Sequence, residues 1–158
     1  MFKKLILWSI VLIAIATIFY FSTESGSISQ VRTHKIAEFV AIGSNKLVAM
    51  DFGELHLYIR KGAHFFEYMT LAVLMSLAIR NSRKGAIKQS IGIFLLCFVL
   101  ACFDERIQTF TAGRSGNVID VLIDGSGAFL GIILYSIVFM IFEKVRYKLL
   151  LLSKPRRG

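Results

Sequence analysis

The sequence predicts an all-α fold: a polytopic membrane helical bundle with four transmembrane helices and an extracytoplasmic amphipathic helical segment between the first two. Three observations predict it. The 158 residues are 56% hydrophobic and only 18% charged, with one Pro and a mean hydropathy of +0.67, too apolar for an ordinary soluble domain. Four stretches are long and apolar enough to cross a hydrocarbon core. Lys and Arg are distributed unevenly between the segments that join them. The same composition excludes a disordered chain, which needs low hydrophobicity. With two Cys it also excludes a disulfide-stapled secreted domain. The length accommodates a single domain over 1–158.

The first span, about 5–22, contains the uncharged run Leu5 to Phe21, preceded by Lys3 and Lys4 and followed by Ser22-Thr23-Glu24-Ser25-Gly26-Ser27. A cleaved leader has a similar outline. The run is long and ends in Phe19, Tyr20 and Phe21 with no small-residue cleavage site, so a spanning helix is expected. The second span, about 60–79, carries His64 and Glu67 near its start. The third, about 86–103, ends at Asp104-Glu105-Arg106, for which an ordinary solvated loop is the bland reading, and the fourth, about 118–142, has Asp120 and Asp124 near its beginning. Residues 144–158 form a basic tail.

The segment between the first two spans, about Ser22 to Ile59, places Ile36, Val40, Gly43, Leu47 and Met50 at i, i+4, i+7, i+11 and i+14, one apolar helical face. It is expected to lie in the outer interface or to pack on the bundle as a lid. The N-terminus has two Lys, the loop between spans two and three has Arg80, Arg83, Lys84 and Lys88, and the tail has Lys144, Arg146, Lys148, Lys154, Arg156 and Arg157. Only seven of the 19 basic residues remain for the other side: Arg32, Lys35, Lys46, Arg60, Lys61, Arg106 and Arg114. The expected location is therefore a bacterial cytoplasmic membrane, with both termini cytoplasmic. The net charge of +9 becomes a topology signal, with anionic membrane lipids as the partner and nucleic acid set aside.

With this topology, polar residues from three places in sequence converge at one depth on the outer side. Lys61, His64 and Tyr68 fall at i, i+3 and i+7, and Arg60, His64 and Glu67 share an overlapping face. Asp104 and Gln108 are four apart, as are Asp120 and Asp124. Asp120, Asp124, Gly127 and Gly131 continue one stripe, so the acids should face a neighbouring helix across a G-x-x-x-G contact rather than lipid. Gly113-Arg114-Ser115-Gly116-Asn117 supplies a turn with an arginine beside the next helix start, suited to an anion, and Asn117 is the expected N-cap. Cys97 and Cys102, five apart on one helix, cannot pair and are apolar fillers. His34 and His56 are expected at the surface.

Arg60-Lys61-Gly62-Ala63-His64-Phe65-Phe66-Glu67-Tyr68, Asp104-Glu105-Arg106-Ile107-Gln108-Thr109-Phe110, Gly113-Arg114-Ser115-Gly116 and Asp120-Val121-Leu122-Ile123-Asp124 with Gly127 and Gly131 form four ordered blocks. In this order and spacing they resemble the VanZ-like family, named for a protein associated with low-level teicoplanin resistance. The likeness runs from about Ser22 to Phe142, and Phe21-Ser22-Thr23-Glu24-Ser25 is similar to the family's opening. Where many members carry a proline, this chain has Thr111-Ala112. The resemblance implies a small multi-span membrane protein of Gram-positive-type bacteria, linked in some members to glycopeptide or lipoglycopeptide tolerance. It supplies no reaction.

Singly, these residues have structural readings. His64 with Glu67 could be an ion pair anchoring a helix end, and Asp120 could complement a helix dipole. Together they make a candidate site: His64, Glu67, Asp104, Glu105, Asp120 and Asp124 as the reactive cluster, with Lys61, Tyr68, Gln108, Arg114, Ser115 and Asn117 as ligand-binding residues. Three readings stay open. In the first, an enzyme acts on a lipid phosphate held by Arg114 and Lys61, with His64 as acid or base and Asp104, Glu105, Asp120 or Asp124 holding a divalent cation, the candidate cofactor. In the second, the site binds a lipid, a lipid-linked cell-wall precursor or a glycopeptide. In the third, the chain is a partner subunit of another membrane protein.

Overall fold

The computed structural model describes residues 2–42, 52–79 and 85–152, and these form five helices: α1 (Phe2–Ser22), α2 (Gly26–Ile42), α3 (Phe52–Ile79), α4 (Ala86–Thr109) and α5 (Val118–Leu152). Among the described residues there is no strand. Four helices are long and apolar enough to cross a membrane: Phe2–Ser22, Gly53–Ile79, Ala86–Thr109 and Val118–Leu152. At 1.5 Å per residue even the 21 residues of α1 reach about 32 Å, the thickness of a hydrocarbon core.

α1 is apolar all round. Only Val11, Ile18 and Ser22 are buried, while Leu5, Ile6, Leu12 and Ile13 point outward, as a membrane-spanning helix requires. α3 and α5 form the most extensive helix pair. Tyr68, Leu71, Ala72 and Met75 of α3 join Val121, Ala128 and Ile132 of α5, Ile93, Cys97 and Ala101 of α4, and Val11 and Ile18 of α1 in one core. Cys97 is buried, with its thiol 3.8 Å from the Met75 sulfur, and Cys102 is exposed. Both are free.

The closest approach in this core is made by glycine. A Cβ on Gly127 would collide with the carbonyl oxygen of Phe65, and one on Gly131 with the carbonyl oxygen of Met69, so the α3 and α5 backbones touch with no side chain between them. The buried stripe of α5 runs Asp120, Asp124, Gly127, Ala128, Gly131, which puts both acids on the bundle side as their spacing predicts.

Several helix limits differ from the sequence expectation. α3 begins at Phe52, so Arg60 and His64 lie well inside it rather than at its start. α4 continues past the expected span limit at Phe103 to Thr109 and places Asp104, Glu105 and Gln108 on a helix, in keeping with the four-residue spacing of Asp104 and Gln108. The physical reason is periodicity: Ile93, Cys97, Ala101, Asp104 and Gln108 share one buried stripe, and a charged end does not stop a helix whose polar side chains are paired inside the bundle. α5 runs through Lys144 to Leu152 instead of ending near Phe142.

A helix lies between the first two spans, as expected, and of the apolar face read from the sequence the one described side chain, Ile36, is exposed, as in the interfacial alternative. Gly26, Thr33 and Ala37 of α2 are buried, whereas Ile28, Val31, Ile36 and Phe39 are exposed. Small residues are what a close contact admits, so the large apolar side chains turn outward. Gly43, Leu47, Met50 and the side chain of Val40, used in that expectation, lie outside the described residues, as do Arg80, Arg83, Lys84, Lys154, Arg156 and Arg157.

Gly127→Leu should weaken the α3–α5 contact by at least about 1–3 kcal/mol, whereas Gly92→Ala, at a position with open space around it, should be neutral or gain up to about 1 kcal/mol. Thermal unfolding of the two variants in one detergent checks the contrast.

Candidate functional site

One end of the bundle gathers the last turn of α1, the first half of α3, the last two turns of α4, the 110–117 turn and the first turns of α5. The last turns of α4 extend its apolar stripe into Asp104, Glu105 and Gln108, and all three are buried. The Gln108 amide nitrogen donates to Asp104 Oδ2 at 3.1 Å and to Glu105 Oε1 at 3.0 Å, bridging the two acids from their own helix. Ser22 at the end of α1 donates its hydroxyl to Asp104 Oδ1. The backbone N–H of Asn117 donates to Glu105 Oε2 at 2.7 Å.

His64 comes from α3 and Asp124 from α5, brought together by the glycine contact one turn away. His64 Nδ1 stands 3.4 Å from Asp124 Oδ1 and 3.8 Å from Asp104 Oδ2, ion-pair distances too long for strong hydrogen bonds. Among the described residues neither Asp124 oxygen accepts a hydrogen bond, although Asp124 is fully buried, and His64 Nδ1 also has no hydrogen-bond partner. The fully buried Tyr68 hydroxyl, one turn from His64, is unpartnered too. One atom each of His64, Asp104, Glu105 and Asp124 lie within 4.8 Å of one another, a separation that a single cation could span.

The 110–117 turn ties this end together. Gly113 has a φ of 74°, a left-handed conformation that a side chain would strain, and the preceding Ala112 carbonyl accepts the first N–H of α2, Gly26, at 2.9 Å. Thr111 directs its hydroxyl at the carbonyls of Ser22 (3.0 Å) and Ile107 (3.2 Å). Arg114 donates to the Phe21 carbonyl at 2.7 Å, capping the C-terminal end of α1. Asn117 is the N-cap of α5, its Oδ1 accepting the N–H of Ile119 at 3.0 Å.

Beside the acids lies a cavity of about 80 Å³ whose lining includes Ser22, Arg32, Thr33, Arg60, His64, Glu67 and Arg114. Arg60 pairs with Asp120 Oδ2 at 3.1 Å, and Arg32 pairs with Glu24 and lies 4.3 Å over the Phe21 ring. Burial, and next the charge of Arg60, pull Arg114 below the ordinary guanidinium range, against the opposing pull of Asp104 and Glu105. Arg114 remains cationic. Its Nε and that of Arg60 are buried without hydrogen-bond partners among the described residues. An apolar groove of about 430 Å³ adjoins the cavity, lined by Ala14, Thr17, Ile18, Ala63, Phe66, Glu67 and Thr70. Ile18, Ala63 and Glu67 line both.

The residues singled out in the sequence thus separate into groups. His64, Asp104, Glu105, Gln108 and Asp124 form the buried cluster, with Tyr68 at its edge. Asp120 is drawn away from it by Arg60, and Glu67 faces the cavity and groove. Arg114 lines the cavity, but its guanidinium donates to α1, and Asn117 uses its side chain as a cap. Lys61 does not line the cavity, and Ser115 is exposed. Sequence reasoning left Ser22 and Arg32 without a role. Ser22 lay in the block Phe21-Ser22-Thr23-Glu24-Ser25, the one signal that could have drawn attention to it.

A family model described as VanZ/LLP1 matches residues 6–140. No curated protein and no solved structure matches the chain.

Gln108→Leu removes both N–H donors between two buried carboxylates and should cost about 1–3 kcal/mol, against less than about 0.5 kcal/mol for Ser115→Ala at the exposed turn. Paired unfolding curves in detergent give the two values.

Proposed function

The chain belongs to the VanZ/LLP1 family, and from that premise we propose that it binds an amphiphile with an anionic head, a lipid or a lipid-linked cell-wall component, at a polar site open to the outer side of a bacterial cytoplasmic membrane. The observation that carries this reading is the continuity of two cavities of opposite character. The polar one has Arg32, Arg60 and Arg114 in its wall with the hydroxyls of Ser22 and Thr33, and the apolar one runs beside it between α1 and α3. A phosphate suits guanidinium groups that keep unused donors, and an acyl or isoprenoid chain suits the groove. The residues common to both, Ile18, Ala63 and Glu67, lie where head would join tail.

The orientation is part of the proposal. With Lys3 and Lys4 at one end and Lys144, Arg146 and Lys148 in the last turns of α5, both termini are cytoplasmic, which sets the cavity in the outer leaflet. A headgroup site there would bind or shield a wall precursor in the leaflet where glycopeptides act, and this is how the protein contributes to teicoplanin-type tolerance.

Purified protein in nanodiscs should take up a short-chain lipid phosphate, and Arg114→Ala should weaken that binding about 10–100-fold, the value of a charge-assisted contact. Equal affinity in the variant would overturn the reading. In cells, reporter fusions at both termini should be active only in cytoplasmic form. Cells carrying Arg114→Ala should also lose the teicoplanin tolerance conferred by the unmodified chain, measured as inhibitory concentration.

A further inference from the structure

We propose that His64, Asp104, Glu105 and Asp124 together bind one divalent cation of the hard-to-borderline class represented by Mn²⁺. Four donors from three helices meet with no pair of ligand atoms more than 4.8 Å apart. A cation with bonds of about 2.0–2.2 Å holds its ligands roughly 3–4.4 Å from one another, so on binding the widest pair draws in by up to about 0.4 Å. The 3.4 Å and 3.8 Å separations of His64 Nδ1 from Asp124 and Asp104 fall in that range.

A second observation points to an occupant. Asp124 is fully buried, yet neither of its oxygens accepts a hydrogen bond among the described residues, and His64 Nδ1 beside it has no hydrogen-bond partner either. Buried carboxylates need compensation, and the single imidazole can neutralise one of three. The nearby guanidinium of Arg60 is engaged by Asp120. Asp104 and Glu105 are steered from behind by neutral donors, the Ser22 hydroxyl, the Gln108 amide and the Asn117 N–H. Such outer contacts orient metal ligands and leave a lone pair of each oxygen for the ion. One imidazole with three carboxylates selects Mn²⁺ or a neighbour in hardness, not a thiolate-seeking ion.

This inference does not depend on the lipid reading. The test uses the full chain in phospholipid-free detergent, stripped with chelator and titrated with Mn²⁺ while the electron paramagnetic resonance signal of free ion is followed. One saturable site per chain is expected, with affinity lowered at least tenfold by Asp124→Asn, about 10–100-fold by Gln108→Ala, and unchanged by Cys102→Ser at an exposed position. Mn²⁺ should also raise the unfolding temperature of the unmodified chain, and Asp124→Asn should lose that rise. The proposal is overturned if the unmodified chain shows no saturable uptake, or if folded Asp124→Asn, judged by its helical circular dichroism, binds as tightly. Because no lipid phosphate is present, Arg114→Ala failing to bind lipid while still taking up Mn²⁺ would separate the two sites.

Discussion

Helices that share a bilayer gain little from burying apolar side chains against one another, because lipid tails are equally apolar, so a polar cluster between them must be held by backbone proximity and shape. Here that proximity comes from Gly127 and Gly131, against which the carbonyls of Phe65 and Met69 lie without an intervening side chain. The contact fixes register as well as distance. His64 immediately precedes Phe65, Tyr68 immediately precedes Met69, and Asp124 lies one turn before Gly127 on the same stripe. Once the glycines are seated, the imidazole and the carboxylate have no freedom to miss each other, and they end 3.4 Å apart.

The second support is α4 with the turn that follows it. Its charged end would be costly to bury alone, but Gln108 bridges Asp104 to Glu105, Glu105 receives the Asn117 N–H, and Asp104 receives the Ser22 hydroxyl. The 110–117 turn then reaches back through Thr111 and Arg114 to the last carbonyls of α1, and through Ala112 to the first N–H of α2. The positions of α1 and α2 around the cavity are therefore set by the same short segment that caps α5. A change in that turn should reach the cavity wall through hydrogen bonds rather than through the apolar core.

Much of this was legible in the sequence because helical stripes survive in it. Asp120, Asp124, Gly127 and Gly131 announce their shared face, and the meeting of α3, α4 and α5 at one end follows from alternating spans. The extent of α4 was legible only in part, through the four-residue spacing of Asp104 and Gln108. A run of Asp, Glu and Arg after an apolar stretch looks like a return to water, and only the continuation of Ile93, Cys97 and Ala101 into Asp104 and Gln108 reveals a helix that stays buried. Whether the apolar face of α2 meets the bundle or the interface stayed open in the sequence for a related reason. Apolar periodicity marks a face that leaves water without saying whether it meets protein or lipid, and here the small residues Gly26, Thr33 and Ala37 take the protein side. The roles of Ser22 and Arg114 depend on contacts between residues more than 80 positions apart, which no spacing rule encodes.

The arrangement of charge distinguishes this end of the bundle from a structural ion-pair network. Such a network would join each buried acid to a guanidinium, since nearby Arg60 and Arg114 carry the charge to do so. Only Asp120 is treated in that way. Asp104 and Glu105 receive neutral donors, Asp124 receives none, and the hydrogen bond of Arg114 goes to a backbone carbonyl. Neutral donors orient a carboxylate without discharging it, and a guanidinium bound to a carbonyl is oriented without being neutralised. The acids around His64 and the arginines of the cavity wall thus lie in adjoining compartments. On the two proposals made above, a cation among the acids and an anionic head among the arginines would offset the cost of burying these groups in a low-dielectric setting.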